Sequence, residues 1–447
     1  MKRWLRRLLP SFIIDRGHWL LGQAAAWRYG RPSEKLVVIG VTGTNGKTTT
    51  ANLIARILEE SGKRVGLATT ANFKIAEKEW LNDTKMTMLG RSRLQSLLAR
   101  MVAAGCTHAV VETSSEGIKQ WRHAAINYDT VVFTNLTPEH LESHGGFENY
   151  KRAKGRLFAH LTARPRKRFG GRRVEKSAVV NLGDEHAGYF LSFRADRKIG
   201  FFVDREGARR HAGDAVDRRV EAHDVRLHPD SSDFTVGQER FHLPLPGLFN
   251  VENALAAVAA AAEHQVALSI ASRALAKTGT IPGRMELIDL GQPFRVLVDY
   301  APEPESFRRM YEAVDRMGRT GRIIHVLGSC GGGRDVARRP VLGQMAAAKA
   351  DIVIVTNEDP YDDDPAAIIE DVAAGAEQAG KRRGHDLFTI LDRTAALEKA
   401  VSLAGPGDLV IATGKGAEQA ICVAGGKKIP WDERTKLREI IARHLRS

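Results

Sequence analysis

From residue 36 the chain alternates short runs of β-formers with longer helical stretches. Residues 36–41 form an apolar run that reads as a buried strand, a glycine-rich turn follows, and 3.6-residue periodicity to about residue 60 predicts a helix. Gly62 closes that helix and residues 64–68 supply a second strand, so the opening is a βαβ unit. Further strands are predicted at 107–112, 130–135 and 178–181, with helical stretches between them, which implies a mostly parallel sheet flanked by helices. Residues 225–245 alternate like antiparallel strands, and an alanine-rich helix is predicted over about 251–264. The pattern resets near Ile281-Pro282-Gly283-Arg284, where a second α/β series begins with strands at 294–299, 322–327, 352–356 and 409–412. The expected organisation is a helical prefix over 1–34, one α/β domain over 35–282 and another over 283–447.

Composition narrows the class. A chain of 447 residues with 43% hydrophobic and 27% charged content is an ordinary folded protein of several domains. Cys106, Cys330 and Cys422 stand too far apart for a disulfide framework or a four-cysteine zinc site, which suits a reducing cytoplasm. The longest apolar run, residues 254–262, is too short for a membrane span. The N terminus begins like a signal peptide, but Pro10, Asp15 and Arg16 interrupt it, so it is expected to be retained. Lys and Arg total 67 against 53 acids, a formal charge of +14. Seven of these bases fall within residues 164–176, which reads as a solvated loop and not as a nucleic-acid surface; no nucleic-acid partner is expected. A basic protein also suits phosphorylated substrates.

The candidate chemistry starts at Gly40-Val41-Thr42-Gly43-Thr44-Asn45-Gly46-Lys47-Thr48-Thr49, between a strand and a helix. Backbone N–H groups, a helix N terminus and a lysine can there cradle a triphosphate, with Lys47 meeting the β- and γ-phosphates and Thr48 a magnesium ion. Val41 stands where the strict phosphate-loop pattern has glycine, so the strand–turn–helix context carries the assignment. Oxygen and nitrogen ligands follow at strand ends in Glu112, Asn135 and His140.

These segments resemble the Mur ligase family, ATP-dependent enzymes that add amino acids to the peptidoglycan precursor. The likeness runs from about residue 36 to the C terminus. Besides the phosphate loop it rests on Glu112-Thr-Ser-Ser115-Glu116-Gly, Thr134-Asn135-Leu-Thr-Pro-Glu-His140, Tyr150-Lys-Arg-Ala-Lys154, Leu245-Pro-Gly-Leu-Phe-Asn250-Val-Glu-Asn253, Pro282-Gly283-Arg284 and Gly328-Ser-Cys-Gly-Gly-Gly333-Arg334-Asp335. The branch it is most similar to adds the third peptide residue. The resemblance implies a P-loop central ATPase domain and a C-terminal Rossmann-like domain, both α/β, and an acyl-phosphate route to an amide. It implies ATP contacts from Gly43 through Thr49, Asn135, Asn250, Asn253 and Arg284. Two Mg2+ ions would be held by Thr48, Glu112, His140 and a carbamylated Lys154, a residue that by itself reads as a solvated helix lysine. Arg334 and Asp335 would act where the C-terminal domain closes.

On the substrate side the resemblance implies Thr87, Ser115, Arg122, Glu358, Asp359, Tyr361, Gly414 and Glu418 for a muramyl peptide acceptor and an amino acid, with the segment Glu358 to Tyr361 and Glu418 on the amino-acid side. Tyr361 stands where diaminopimelate enzymes have arginine, and a tyrosine offers no guanidinium fork to a carboxylate, so a basic amino acid is expected, lysine ahead of diaminopimelate. Departures from the family are Glu116, Pro302 and Ala417, each where a histidine is usual, and the short prefix in place of a uridine-nucleotide domain. Residues 1–20, basic and apolar, read either as a helix packed on the ATPase domain or as a peripheral membrane contact. A monomer is expected. Two rival readings are another ligase of the superfamily, of the folylpolyglutamate, cyanophycin or lipid-linked muramyl type, and a nucleotide-binding protein that has lost ligase chemistry.

Overall fold

The computed structural model describes residues 11–139, 141–206, 211, 215–318, 321–333 and 336–446. The first ten residues, His140, Arg334 and Asp335 lie outside the described residues.

The larger sheet contains β1 (Val37–Thr42), β2 (Val65–Ala68), β3 (Asn72–Ile75), β4 (Lys78–Leu81), β5 (His108–Glu112), β6 (Thr130–Phe133), β7 (Ser177–Asn181), β8 (Arg197–Val203), β9 (Arg218–Leu227), β10 (Ser232–Val236) and β11 (Glu239–Leu243). Their spatial order is β11-β10-β9-β8-β7-β6-β1-β5-β2-β3-β4. The strands from β9 to β2 run parallel, and an antiparallel hairpin extends each end. Alternation along β1 sends Ile39 and Val41 to one core and Val38 to the other. Both faces are therefore covered, which is why these strands read as continuous apolar runs.

The first face packs helix α2 (Lys47–Glu60) and the alanine-rich helix Leu248–Ala262; the second packs α3 (Arg91–Ala103) and α4 (Phe147–Ala163). Ile54 is fully buried in the first core, where truncation to alanine costs about 2–5 kcal/mol.

The second sheet contains β12 (Glu286–Ile288), β13 (Arg295–Val298), β14 (Ile323–Leu327), β15 (Ile352–Thr356), β16 (Leu387–Ile390) and β17 (Leu409–Ala412), ordered β12-β13-β17-β14-β15-β16. Only β12 is antiparallel within it. It too is covered on both faces.

Sequence periodicity misses β3, β4, β8, β12 and β16. β4 has exposed Lys78 and Glu79 at the sheet edge, and β8 opens on Arg197 and Lys198, so neither presents a clean apolar run. The basic stretch 164–176 is also not simply solvated. Lys167 and Lys176 turn inward onto Asp129, and Lys176 Nζ donates to Asn127 Oδ1 at 2.6 Å. Burial lowers the Lys167 ammonium to about 8 against the pull of Asp129. In the prefix, helix α1 (Ser11–Arg28) packs against α3 through small residues, with Gly22, Ala25 and Ala26 facing inward. Among the described residues no helix is long and apolar enough to cross a membrane.

Candidate active site

The C-terminal ends of strands from both sheets open on one cavity of about 630 Å³, lined by Thr44–Thr49 after β1, Glu112 on β5, Tyr300 after β13, Cys330 after β14 and Tyr361 after β15. This is where α/β sheets place their ligands.

The loop between β1 and α2 is kept bare by steric necessity. Gly46 caps α2 with φ 81°, and a Cβ there would fall 2.0 Å from Asn253 Oδ1. A Cβ on Gly43 would meet Thr134 Oγ1 at 1.9 Å. Asn135 props the turn from behind, accepting from Asn45 N at 2.8 Å and donating to Asn45 O at 3.1 Å. The first-turn N–H groups of α2 have no intrahelical acceptor and stand at the cavity, a ready anion site. Lys47 Nζ folds onto Thr44 O at 2.6 Å.

Thr48 Oγ1 donates to Glu112 Oε2 at 2.8 Å, and Thr70 holds the same carboxylate through its N–H at 2.8 Å and its hydroxyl at 3.0 Å. A hydroxyl and a carboxylate already in contact beside an anion cradle are the hard oxygen donors that magnesium takes. Lys154 is only 1% exposed, its Nζ 2.6 Å from Gly43 O and 4.4 Å from the Tyr150 ring centroid. Among the described residues no carboxylate lies within ion-pair distance of it. Burial, and then the charge of Lys47, push this amine well below the usual lysine range. The solvated-lysine reading of Lys154 is therefore overturned.

Across the cavity, Arg284 donates to Thr48 Oγ1 at 3.2 Å and lies 4.5 Å from the Tyr300 ring centroid. Glu303 and Arg338 form a buried ion pair on the same wall. Asn250 and Asn253 line the cavity beside α2, joined by a 3.3 Å hydrogen bond.

Residues 41–261 match the Mur ligase middle domain, and residues 283–416 match the Mur ligase, glutamate ligase domain. The UDP-N-acetylmuramyl-tripeptide synthetase of Roseiflexus sp. (strain RS-1) is 40% identical over 97% of this chain and 84% of its own length. The chain belongs to the Mur ligase family. A UDP-N-acetylmuramoyl-L-alanyl-D-glutamate–2,6-diaminopimelate ligase of Geobacillus thermodenitrificans (strain NG80-2) is 35% identical over 97% of this chain and 84% of its own. A solved structure of a ligase with that same name superposes with a TM-score of 0.58 at 29% identity, covering 92% of this chain and 79% of the other. As a Mur ligase the protein is an ATP-dependent, amide-forming enzyme that uses Mg2+.

The far end of the cavity in this Mur ligase is built from charge. Lys85, from the segment after β4, reaches Asp359 Oδ2 at 2.6 Å and also pairs with Glu418. Lys415 takes Asp359 Oδ1 at 2.9 Å and Glu418 Oε2 at 3.0 Å. Burial alone would lower the Lys85 ammonium, but Glu418 and Asp359 hold it above the ordinary range. The expected amino-acid residues therefore divide. Tyr361 and Glu418 line the cavity, as do Thr87, Ser115 and Arg122. Glu358 lies behind it, accepting from Cys330 Sγ at 2.9 Å, and a Cβ on Gly414 would strike Glu358 Oε2 at 2.2 Å. Asp359 is committed to the two lysines and to Cys422 N. Cys330, Glu358 and Asp359 cluster as metal-ligand types, but two ammonium groups already occupy Asp359. Of the acids that follow, Asp364 caps the next helix through Ala366 N at 3.0 Å and Asp362 accepts from Gly425 N at 2.8 Å, and neither lines the cavity.

Sequence reasoning missed Thr70, Lys85 and Lys415. Thr70 serves through its backbone N–H and its hydroxyl, and a single threonine outside any motif carries no signal. Lys85 meets partners 274 and 333 positions away, beyond any local motif.

Proposed function

We propose that this Mur ligase joins a basic diamino acid to a muramyl-dipeptide-type acceptor in the cytoplasm, through an acyl phosphate. The single observation that carries the reading is the cavity itself, with a phosphate cradle at one end and a carboxylate grip on an alkylammonium at the other. An acceptor carboxylate oxygen attacks the γ-phosphorus of ATP, and ADP leaves with the bonding pair. The amino nitrogen then attacks the acyl carbon, phosphate departs, and the nitrogen gives up a proton to form the amide. Lys47 would leave Thr44 O for the phosphates, a charge-assisted contact strengthened as charge moves to the leaving group. Asn250, Asn253 and Arg284 would bind the nucleoside side, and the Glu303–Arg338 pair would stiffen the wall facing it.

Mg2+ supplies charge neutralisation on the phosphates when bound. Thr48 and Glu112 would hold one ion. For a second, a carbamate on Lys154 is proposed: the uncharged amine adds to CO2 and releases a proton, so that a buried amine becomes a carboxylate-like ligand. Burial of Lys154 with no carboxylate within ion-pair distance among the described residues supports this, because a bare ammonium there is costly.

Charge supports the choice of amino acid. Lys85 and Lys415 balance Asp359 and Glu418; withdrawal of Lys85 leaves one negative charge in surplus, which an incoming side-chain ammonium would restore. Tyr361 offers no guanidinium to a second carboxylate, which favours lysine over diaminopimelate. Cys106, Cys330 and Cys422 are buried and form no disulfide, which fits a reducing compartment. The test is ADP release with acceptor and amino acid supplied singly and together, with lysine, ornithine, diaminopimelate and neutral residues in competition. Release that needs both substrates, with a matching mass gain on the acceptor, is expected. Release that ignores the amino acid would sink the ligase reading, and preference for a neutral residue would sink the charge argument.

A further inference from the structure

Helix α1 is inverted relative to an ordinary surface helix. Its small residues Gly22, Ala25 and Ala26 face the protein, while Ile13, Trp19, Leu20, Leu21 and Trp27 face out, Leu21 at 62% and Trp27 at 77% exposure. The remaining exposed large apolar residues of the described chain, such as Leu391 and Ile429, are spread over other elements. Ile13, Leu20 and Trp27 recur every seven residues, so they form one stripe along the helix, with exposed Arg16 and Arg28 beside it. Within residues 11–31, Arg16, Arg28 and Arg31 stand against the single acid Asp15.

We propose that this face is a docking surface for an anionic lipid bilayer, on which α1 lies in the plane of the interface. Tryptophan and leucine flanked by arginine is the composition that settles at the headgroup–acyl boundary, and the basic excess complements anionic lipid. A second copy of the chain is disfavoured as the cover, since a two-fold contact would set the same basic residues against each other. Spanning is excluded for α1, which is not long and apolar enough to cross. The surface stands apart from the active-site cavity and adds a location to the proposed reaction, bringing the enzyme to acceptors held at a membrane.

The experiment is co-sedimentation of the full chain with vesicles of phosphatidylcholine alone or mixed with phosphatidylglycerol, at low and high salt, with light scattering and ADP release measured in parallel. Binding only to the anionic vesicles, weakened by salt, is expected. The double variant Leu20→Ser/Trp27→Ser should lose at least about tenfold in vesicle affinity while its melting temperature and ADP release on soluble substrates stay unchanged. These residues are exposed, so the variant tests the surface and not the fold. No vesicle binding, equal binding to both compositions, or an unaffected variant would overturn the proposal. A concentration-dependent dimer abolished by the variant, without vesicle binding, would assign the face to a second copy. Failure of the ligase reading shows separately, in ADP release.

Discussion

At the phosphate end of the cavity, most of the groups are held by neighbours from the first sheet's unit: Gly43 and Gly46 by the lack of room for a Cβ, Glu112 by Thr48 and Thr70, Lys154 by Gly43 O. At the amine end the contacts join the two sheets' units. Lys85 belongs to the segment after β4, and its partners Asp359 and Glu418 follow strands of the second sheet. The first end is built mainly within one folding unit, with Arg284 of the other reaching Thr48, whereas the second exists only when two units meet. Substitutions at the first should therefore alter chemistry, and substitutions at the second should alter recognition and closure.

The largest effect is expected at the phosphate end. Lys47→Ala and Lys154→Ala should each lower kcat by about a thousandfold or more, with the melting temperature of the Lys47 variant unchanged. Bicarbonate or small carboxylates should partly rescue the Lys154 variant if the carbamate is present. Full activity in either variant would erase the distinction between the two ends.

Next comes the wall between them. Arg338→Met removes the buried guanidinium that pairs with Glu303 and should cost up to about 3–5 kcal/mol in denaturant unfolding. An undiminished midpoint would mean that the pair is dispensable to closure. Lys85→Met should change KM for the amino acid by about tenfold, the order expected for one charge-assisted contact, while kcat stays within a few-fold. A kcat collapse with constant KM would move Lys85 to the chemical end.

The smallest effect is a pH shift. Burial alone would raise the Asp359 carboxyl, but Lys415 and Lys85 bring it below the ordinary carboxylate value. Its stabilising contribution is thus present above the unfolded value of about 3.9 and is lost as pH falls through the lower folded one. Without Lys85 that loss should begin at higher pH, measurable as a divergence of wild-type and Lys85→Met melting temperatures on acidification.

The contrast also sets what the sequence reveals. Strands covered on both faces, such as β1, β5 and β14, show as apolar runs, and the phosphate loop shows because glycine spacing is forced by Asn253 and Thr134. Edge strand β4 does not show, since half its residues face solvent. Tyr361 and Glu418 line the cavity, whereas Glu358 is spent on Cys330 and Asp359 on two lysines, and a short acidic stretch cannot announce such partners. Lys167 and Lys176 make the same point: a basic run looks solvated until Asp129 arrives from another strand end.

The central claim is that one cavity couples ATP cleavage to amide formation through the acceptor carboxylate. An acceptor carrying heavy oxygen in that carboxylate tests it most directly, with the released phosphate read by mass spectrometry. Transfer of one labelled oxygen into phosphate for each amide formed is the predicted result. Unlabelled phosphate released alongside product would contradict the acyl-phosphate route and the coupling built on it.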